Sequence, residues 1–391
     1  MLRAIVVVCA AACLAIQVVR TEGVKAFANL QPLVASRFWS DHPATELSLG
    51  MTEIARASRA RTAVSQSAFA MIDDAAVKQP LAPEPFLVRG VQAQLAGKAT
   101  EAERAFHAAQ RRDPRSLPAA YFLADRYFQT GDSARGLGQV ALLARLTPYG
   151  SATLAPYLAA YAEDSANWPR LRLVFRDNPA LASNTLIKLA ANISTVPAVL
   201  ALADPKQSLQ AAPWFPALLN TLVGAGRYDQ ARALWARAGG IAQPQGELIH
   251  DTGFVDSRSA PPFNWSLTSS SVGAAERQPG HRLHVVFYGQ EDGILASQLL
   301  VLPAGTYRLS LQLLGDWDRA RVLNWSLWCD GSDAPVSSVT LDNAAQRGWS
   351  FRVPAGCPAQ WLKLSGASPD VAQQSDVQIT GLRLQRVANG G

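Results

Sequence analysis

Cysteine and histidine are scarce in this 391-residue chain, at four and five residues. The histidines do not gather around the cysteines, so the chain lacks the ligand spacing of a zinc site. A nucleophile elbow, a Walker loop and a dinucleotide glycine motif are also missing, which removes the usual starting points for acyl, phosphoryl and hydride transfer. Charged residues make up only 17% of the chain. The positive excess has no DNA- or RNA-reading motif beside it, so nucleic acid is not an expected partner. What the chain does have is apolar residues, 49% of the total, enough for packed cores over a length that suits two or three domains.

The remaining acid–base candidates are thin. His281 and His284 are three apart in a strand-like stretch, where that spacing puts them on opposite faces. Glu291 and Asp292 are adjacent, whereas glycoside cleavage needs two carboxylates converging on a sugar from either side. The pair reads as a solvated hairpin tip or, at best, a calcium-linked loop. No enzyme, cofactor or metal is expected.

Charge is unevenly spread. Residues 247–391 hold 11 basic and 13 acidic side chains, a balance of −2, so residues 1–246 carry +8 and the whole chain +6. A basic helical half suits an anionic surface, and equally a solvated arginine-rich one.

Ala4–Val19 is an apolar run of 16 residues broken only by Gln17, with Arg3 before it and Arg20 after. It is short for a spanning helix and long for a signal core, so residues 1–28 stand as a membrane anchor or a signal segment. Ala26-Phe27-Ala28 is a small-x-small cleavage candidate, but it lies far beyond Val19, which favours an uncleaved inner-membrane anchor. Either way the remainder lies outside the cytoplasm, anchored or free in the periplasm. Cys9 and Cys13 lie within this run, leaving Cys329 and Cys357 as the pair for an exported disulfide, the alternative being two free buried thiols.

Pro80, Pro114 and Pro148 recur at intervals of 34 residues. The window closing at Pro114 holds Phe86, Gly90, Gly97, Ala102, Phe106 and Ala109. The next holds Ala120, Ala124, Tyr127 and Gly131 and closes at Pro148. A later copy runs through Phe215, Leu219, Gly226, Ala231, Trp235 and Ala238. The pattern resembles the tetratricopeptide repeat, in which small residues let two helices approach, an aromatic fills the space between hairpins and proline ends the second helix. The resemblance covers residues 45–245 and implies a solenoid whose concave surface holds partner proteins, with Arg89, Gln92, Asp125 and Arg126 on its first helices. The bland alternative is a spacer.

Composition changes at Gly239-Gly240, with Pro244 and Gly246 completing a linker. Beyond it the period becomes two. Leu283, Val285 and Phe287 alternate with polar or smaller neighbours, as do Tyr307, Leu309, Leu311 and Leu313, then Leu323, Trp325, Leu327 and Cys329. Val377–Leu384 changes register at Gly381, as a bulge requires. The expected fold is therefore multidomain α and β: a TPR-like helical solenoid followed by an antiparallel β-sandwich over 247–387. Asp251-Thr252-Gly253-Phe254, Pro262-Phe263-Asn264-Trp265 and Leu302–Tyr307 resemble the opening strands and the Pro-Gly-Tyr turn of jelly-roll carbohydrate-binding, galactose-binding-like modules. That resemblance implies sugar stacking on outward aromatics. Trp317, with Asp316, Asp318 and Arg319 in its turn, is the first candidate, and Trp328 and Trp361 are the others. The competing expectation is that these tryptophans pack under loops or against the helices. The combination looks like bacterial envelope proteins that accompany exopolysaccharide synthesis and export, with envelope proteins held by the array and polysaccharide by the sandwich; a pure protein scaffold is the alternative.

Overall fold

The computed structural model describes residues 2–240, 248–369 and 373–387, so the linker residues Pro244 and Gly246 lie outside the described residues. The chain divides into two compact units, Met1–Leu154 and Ala155–Gly391.

In the first unit, α1 (Leu2–Phe27) outruns the apolar segment by about two turns. The side chains of Ile5, Val8, Leu14 and Val19 are exposed. From Gly23 onward the helix packs on α2 (Pro32–Phe38): Val24, Ala28 and Ala35 are buried and Phe27 stacks on Phe38 at 5.8 Å. A Cβ at Gly23 would lie 2.6 Å from the Phe38 ring, so only glycine allows this approach. The cleavage candidate Ala26-Phe27-Ala28 is thus part of a packed helical corner.

Three helical hairpins follow: α3 (Pro43–Ala60) with α4 (Gln66–Lys78), α5 (Glu84–Leu95) with α6 (Ala99–Arg112), and α7 (Leu117–Gln129) with α8 (Ser133–Leu146). α4, α6 and α8 each end two residues before Pro80, Pro114 and Pro148, which lack the amide a continuing helix needs. The repeat positions pack as the spacing predicts. A Cβ at Gly90 would meet the Phe106 ring at 2.7 Å, Ala102 and Ala109 are buried, and Phe106 stacks on Phe122 of the next hairpin at 4.5 Å. Ala124 and Tyr127 are buried as well. Gly97 and Gly131 turn each hairpin at φ +71° and +78°, a left-handed conformation that side chains with a Cβ resist.

The second unit carries helices as well as strands. α9 (Gly150–Tyr161) spans the division between the units. α10 (Trp168–Asp177), α11 (Pro179–Ala190), α12 (Val196–Leu202), α13 (Phe215–Gly224) and α14 (Tyr228–Gly239) follow, with Gly226 repeating the left-handed turn at φ +71°. The strands are β1 (Ser266–Leu267), β2 (Gly273–Gln278), β3 (Arg282–Phe287), β4 (Gly293–Leu300), β5 (Gly305–Gly315), β6 (Leu323–Cys329), β7 (Pro335–Thr340), β8 (Trp349–Val353), β9 (Gln360–Gly366) and β10 (Ser375–Arg386); a short α15 (Leu341–Arg347) joins β7 to β8. They form two five-stranded antiparallel sheets, ordered β1-β4-β9-β6-β7 and β2-β3-β10-β5-β8. The alternation read from sequence is the burial pattern found: Leu283, Val285, Phe287, Tyr307, Leu309, Leu311, Leu313, Leu323, Trp325 and Leu327 all enter one core between the sheets. The register of β10 shifts between Thr380 and Arg383, with Gly381 at φ +61°.

Two local expectations change. Residues 251–265 form turns rather than opening strands, because they connect the helices to the sandwich and their backbone bends at Asp251 and Phe254, both at φ +54°. The Glu291-Asp292 segment is no hairpin tip, since β3 and β4 lie in different sheets. It crosses between the sheets, with Asp292 accepting from the Ser368 amide at 2.6 Å.

Candidate functional site

The register gathers three loops at one end of the sandwich. Gly315 faces Val377, Ser375 faces Phe287, and Gly366 faces both Gly293 and Leu323. The 316–322 loop contains the first candidate set. Asp316 accepts from the amides of Asp318 and Arg319 at 3.2 and 3.3 Å and pairs with the Arg319 guanidinium at 3.2 Å. Ala320 is buried beneath the turn. Asp316 and Arg319 therefore hold the turn, while Trp317 stays 40% exposed on it and the Asp318 carboxylate faces solvent. Tyr288, on the neighbouring crossover, is another exposed aromatic at this end, and sequence reasoning missed it because the partition of strands between sheets is not a local property. An exposed indole beside an exposed carboxylate, which Arg321 approaches at 3.9 Å, offers an apolar face for sugar C–H groups and an acceptor for hydroxyls.

Trp328 and Trp361 lie elsewhere. They face each other directly across β6 and β9, half-buried on the outer face. Trp328 is five residues along β6 from Leu323, so about 17 Å of strand separates it from the loop end. The six candidate residues thus make two sites. At the second, the Trp328 indole donates to Ser326 at 2.9 Å and the Lys363 ammonium sits 4.8 Å from its ring. The Trp361 indole donates to Asp330 at 2.8 Å, and the other oxygen of that carboxylate accepts from the Tyr228 hydroxyl of α14, also at 2.8 Å. Trp361 is accordingly engaged where helix meets sheet.

That junction extends through Trp235, whose indole donates to the Ala260 carbonyl at 2.7 Å while its ring contacts His250 and Phe263. His250 bonds Asp256 at 2.7 Å. Burial opposes ionisation of Asp256, but hydrogen bonds from Ser259 and His250 outweigh it and hold the carboxyl below the usual range. Trp235 had been legible only as a repeat aromatic, and nothing in the local pattern reveals its second partner.

Burial, reinforced by the bond to ionised Asp330, pushes the Tyr228 hydroxyl up to about 12. The folded state therefore keeps this proton when the unfolded chain has lost it. The stabilisation is complete below pH 10 and disappears as pH rises from there to about 12. Melting temperatures across this range should show the advantage of the parent protein over Tyr228→Phe shrinking away; a constant difference would contradict the assignment.

Cys329 and Cys357 form a disulfide with a Cα separation of 5.4 Å, while Cys9 and Cys13 are free and exposed on α1. On the helical array, Arg89 pairs with Asp73 at 2.7 Å, Arg126 approaches Glu103 at 3.5 Å and Asp125 accepts from Gln129, leaving Gln92 exposed. Among the described residues, no group of three or more His, Cys, Asp or Glu side chains converges as metal ligands would. The chain matches no protein-family model, and no curated protein matches it significantly.

Proposed function

We propose that the chain is a non-enzymatic bacterial envelope protein in which tetratricopeptide-type hairpins engage other envelope proteins and a jelly-roll-like sandwich contacts polysaccharide during its synthesis or export. The observation carrying the sugar contact is Trp317: a large indole left 40% exposed on a turn that Asp316 holds through the amides of Asp318 and Arg319. An aromatic held on a rigid turn loses little freedom on binding. Envelope location is supported by α1, whose 26 residues span about 39 Å and exceed a hydrocarbon core of about 30 Å. Its last turns are packed on α2, which favours retention as an inner-membrane anchor over cleavage to a periplasmic form. The disulfide suits the same oxidising compartment.

Affinity electrophoresis through gels containing polysaccharide tests this. The parent protein should be retarded and Trp317→Ala should migrate freely with its melting temperature unchanged, because the indole contributes little to the core. An unretarded parent protein across neutral and acidic glycans ends the sugar reading. The scaffold reading, with no sugar contact, is favoured by the engagement of Trp361 with Asp330 and Tyr228, which turns one candidate aromatic inward to the protein.

A further inference from the structure

The outer face of the sheet β2-β3-β10-β5-β8 carries an arrangement that composition alone does not predict. Its outward residues on the last three strands include Thr306, Arg308, Ser310 and Gln312 on β5, Ser350 and Arg352 on β8, and Arg383 and Gln385 on β10, all exposed or half-exposed. In register, Arg383 faces Ser310, Arg308 faces both Gln385 and Ser350, and Arg352 faces Thr306. Arg383, Arg308 and Arg352 therefore descend a diagonal, one strand across and one outward position along at each step. With strands about 4.8 Å apart and outward positions about 6.7 Å apart, the steps are about 8 Å.

Neither Arg383 nor Arg352 has an ion-pair partner among the described residues, and Arg308 is held by the Arg347 carbonyl rather than by a carboxylate. The nearest acid on β10, Asp376, is at the strand's other end and is taken by His284 at 2.8 Å. The diagonal runs into an open hollow of about 730 Å³ between Arg352 and Arg386, where Arg386 is oriented by the Ala304 carbonyl at 3.0 Å. Three arginines without acidic partners on one face, with Arg386 beside them at the hollow, form a local positive field in a region whose net charge is −2.

We infer that this face binds a linear anionic polysaccharide of the polyuronate class, with successive carboxylates meeting Arg383, Arg308 and Arg352 and a chain end or bend lying in the Arg352–Arg386 hollow. Guanidinium groups engage carboxylates in a planar, two-pronged fashion, and the intervening Ser, Thr and Gln side chains supply the mixed donors and acceptors that sugar hydroxyls need. Between Arg383, Arg308 and Arg352 the outward positions are Ser, Thr and Gln, and Val387 is the large apolar side chain exposed at the hollow, which disfavours a protein partner or an acyl chain. This inference rests on the polysaccharide reading above and narrows it to acidic glycans.

The test uses the full chain in native gels containing polygalacturonate or neutral dextran, with the triple variant Arg308→Gln, Arg352→Gln, Arg383→Gln. The parent protein should be retarded by polygalacturonate, less so as salt rises, and the triple variant should bind at least about tenfold more weakly with an unchanged melting temperature. Should the triple variant fold poorly, the single variants Arg352→Gln and Arg383→Gln should each weaken retardation by polygalacturonate, and unaltered retardation of both overturns the inference. Unaltered retardation of the folded triple variant overturns the inference. So does equal binding to phosphatidylglycerol vesicles, to an acidic protein or to nucleic acid, which would mark the face as a general cation surface. Retardation by dextran but not by polygalacturonate overturns it while leaving sugar binding intact; retardation by neither overturns both.

Discussion

Trp235→Ala should destabilise the second unit by about 3–5 kcal/mol, the range for truncating a buried tryptophan. Trp235 is 6% exposed, and three different features depend on it: the Ala260 carbonyl, the edge-on contact with His250 at 4.8 Å and the contact with Phe263. Truncation leaves a cavity and strips a buried carbonyl of its donor, so the two costs add. The residue sits on α14 while its partners belong to the connection into β1. The expected outcome is therefore loss of cooperativity as well as loss of stability. Urea unfolding of the full chain should give a lower midpoint, with helix loss, followed by far-UV dichroism, preceding loss of sandwich tertiary structure. A destabilisation below about 1 kcal/mol would mean that helix and sandwich merely abut. For the same reason a fragment beginning at residue 248 should be less stable than the sandwich within the chain, since it lacks Tyr228 and Trp235.

Removing the disulfide should have the next largest effect. Cys329 and Cys357 are 28 residues apart, and closing a loop of that size stabilises by about 3–4 kcal/mol through restriction of the unfolded chain. The bond ties the end of β6 to the loop ahead of β9, one residue from Asp330 and four from Trp361. Gln360 adds to this by donating to the Cys357 carbonyl at 2.6 Å and accepting from the Leu302 amide at 2.9 Å. Reduction should therefore loosen the Tyr228–Asp330–Trp361 bonds before the rest of the sandwich. Thermal melts of Cys329→Ser/Cys357→Ser against the parent protein, and of the parent with and without reductant, measure the effect. Identical melting curves would rule it out.

The residues that were legible in sequence are those whose role depends on near neighbours. Gly90 and Phe106 meet because a helical hairpin of fixed length must bring them together. Gly97, Gly131 and Gly226 turn because a helix ends there, and Tyr307 to Leu313 face the core because strand side chains alternate. The cysteine pairing was also within reach, since only two of the four lie in an exported β-region. The short α15 was not, because seven residues carry too little periodicity to be told from a loop.

The sequence by itself determined the class of each half, the hairpin repeat, the inward faces of the strands, the bulge at Gly381 and the disulfide partners. Only the tertiary structure decided that Trp317 stands apart from Trp328 and Trp361, that β3 and β4 part into different sheets, and that α14 belongs with the sandwich. It alone also set Arg383, Arg308 and Arg352 in a line. The physical reason is range. Helical and strand periods are fixed by backbone geometry over a few residues, whereas Tyr228 and Asp330 are 102 positions apart. Their meeting follows from the register of β6 on β9 and the seating of α14, which are set by the packing of the whole unit.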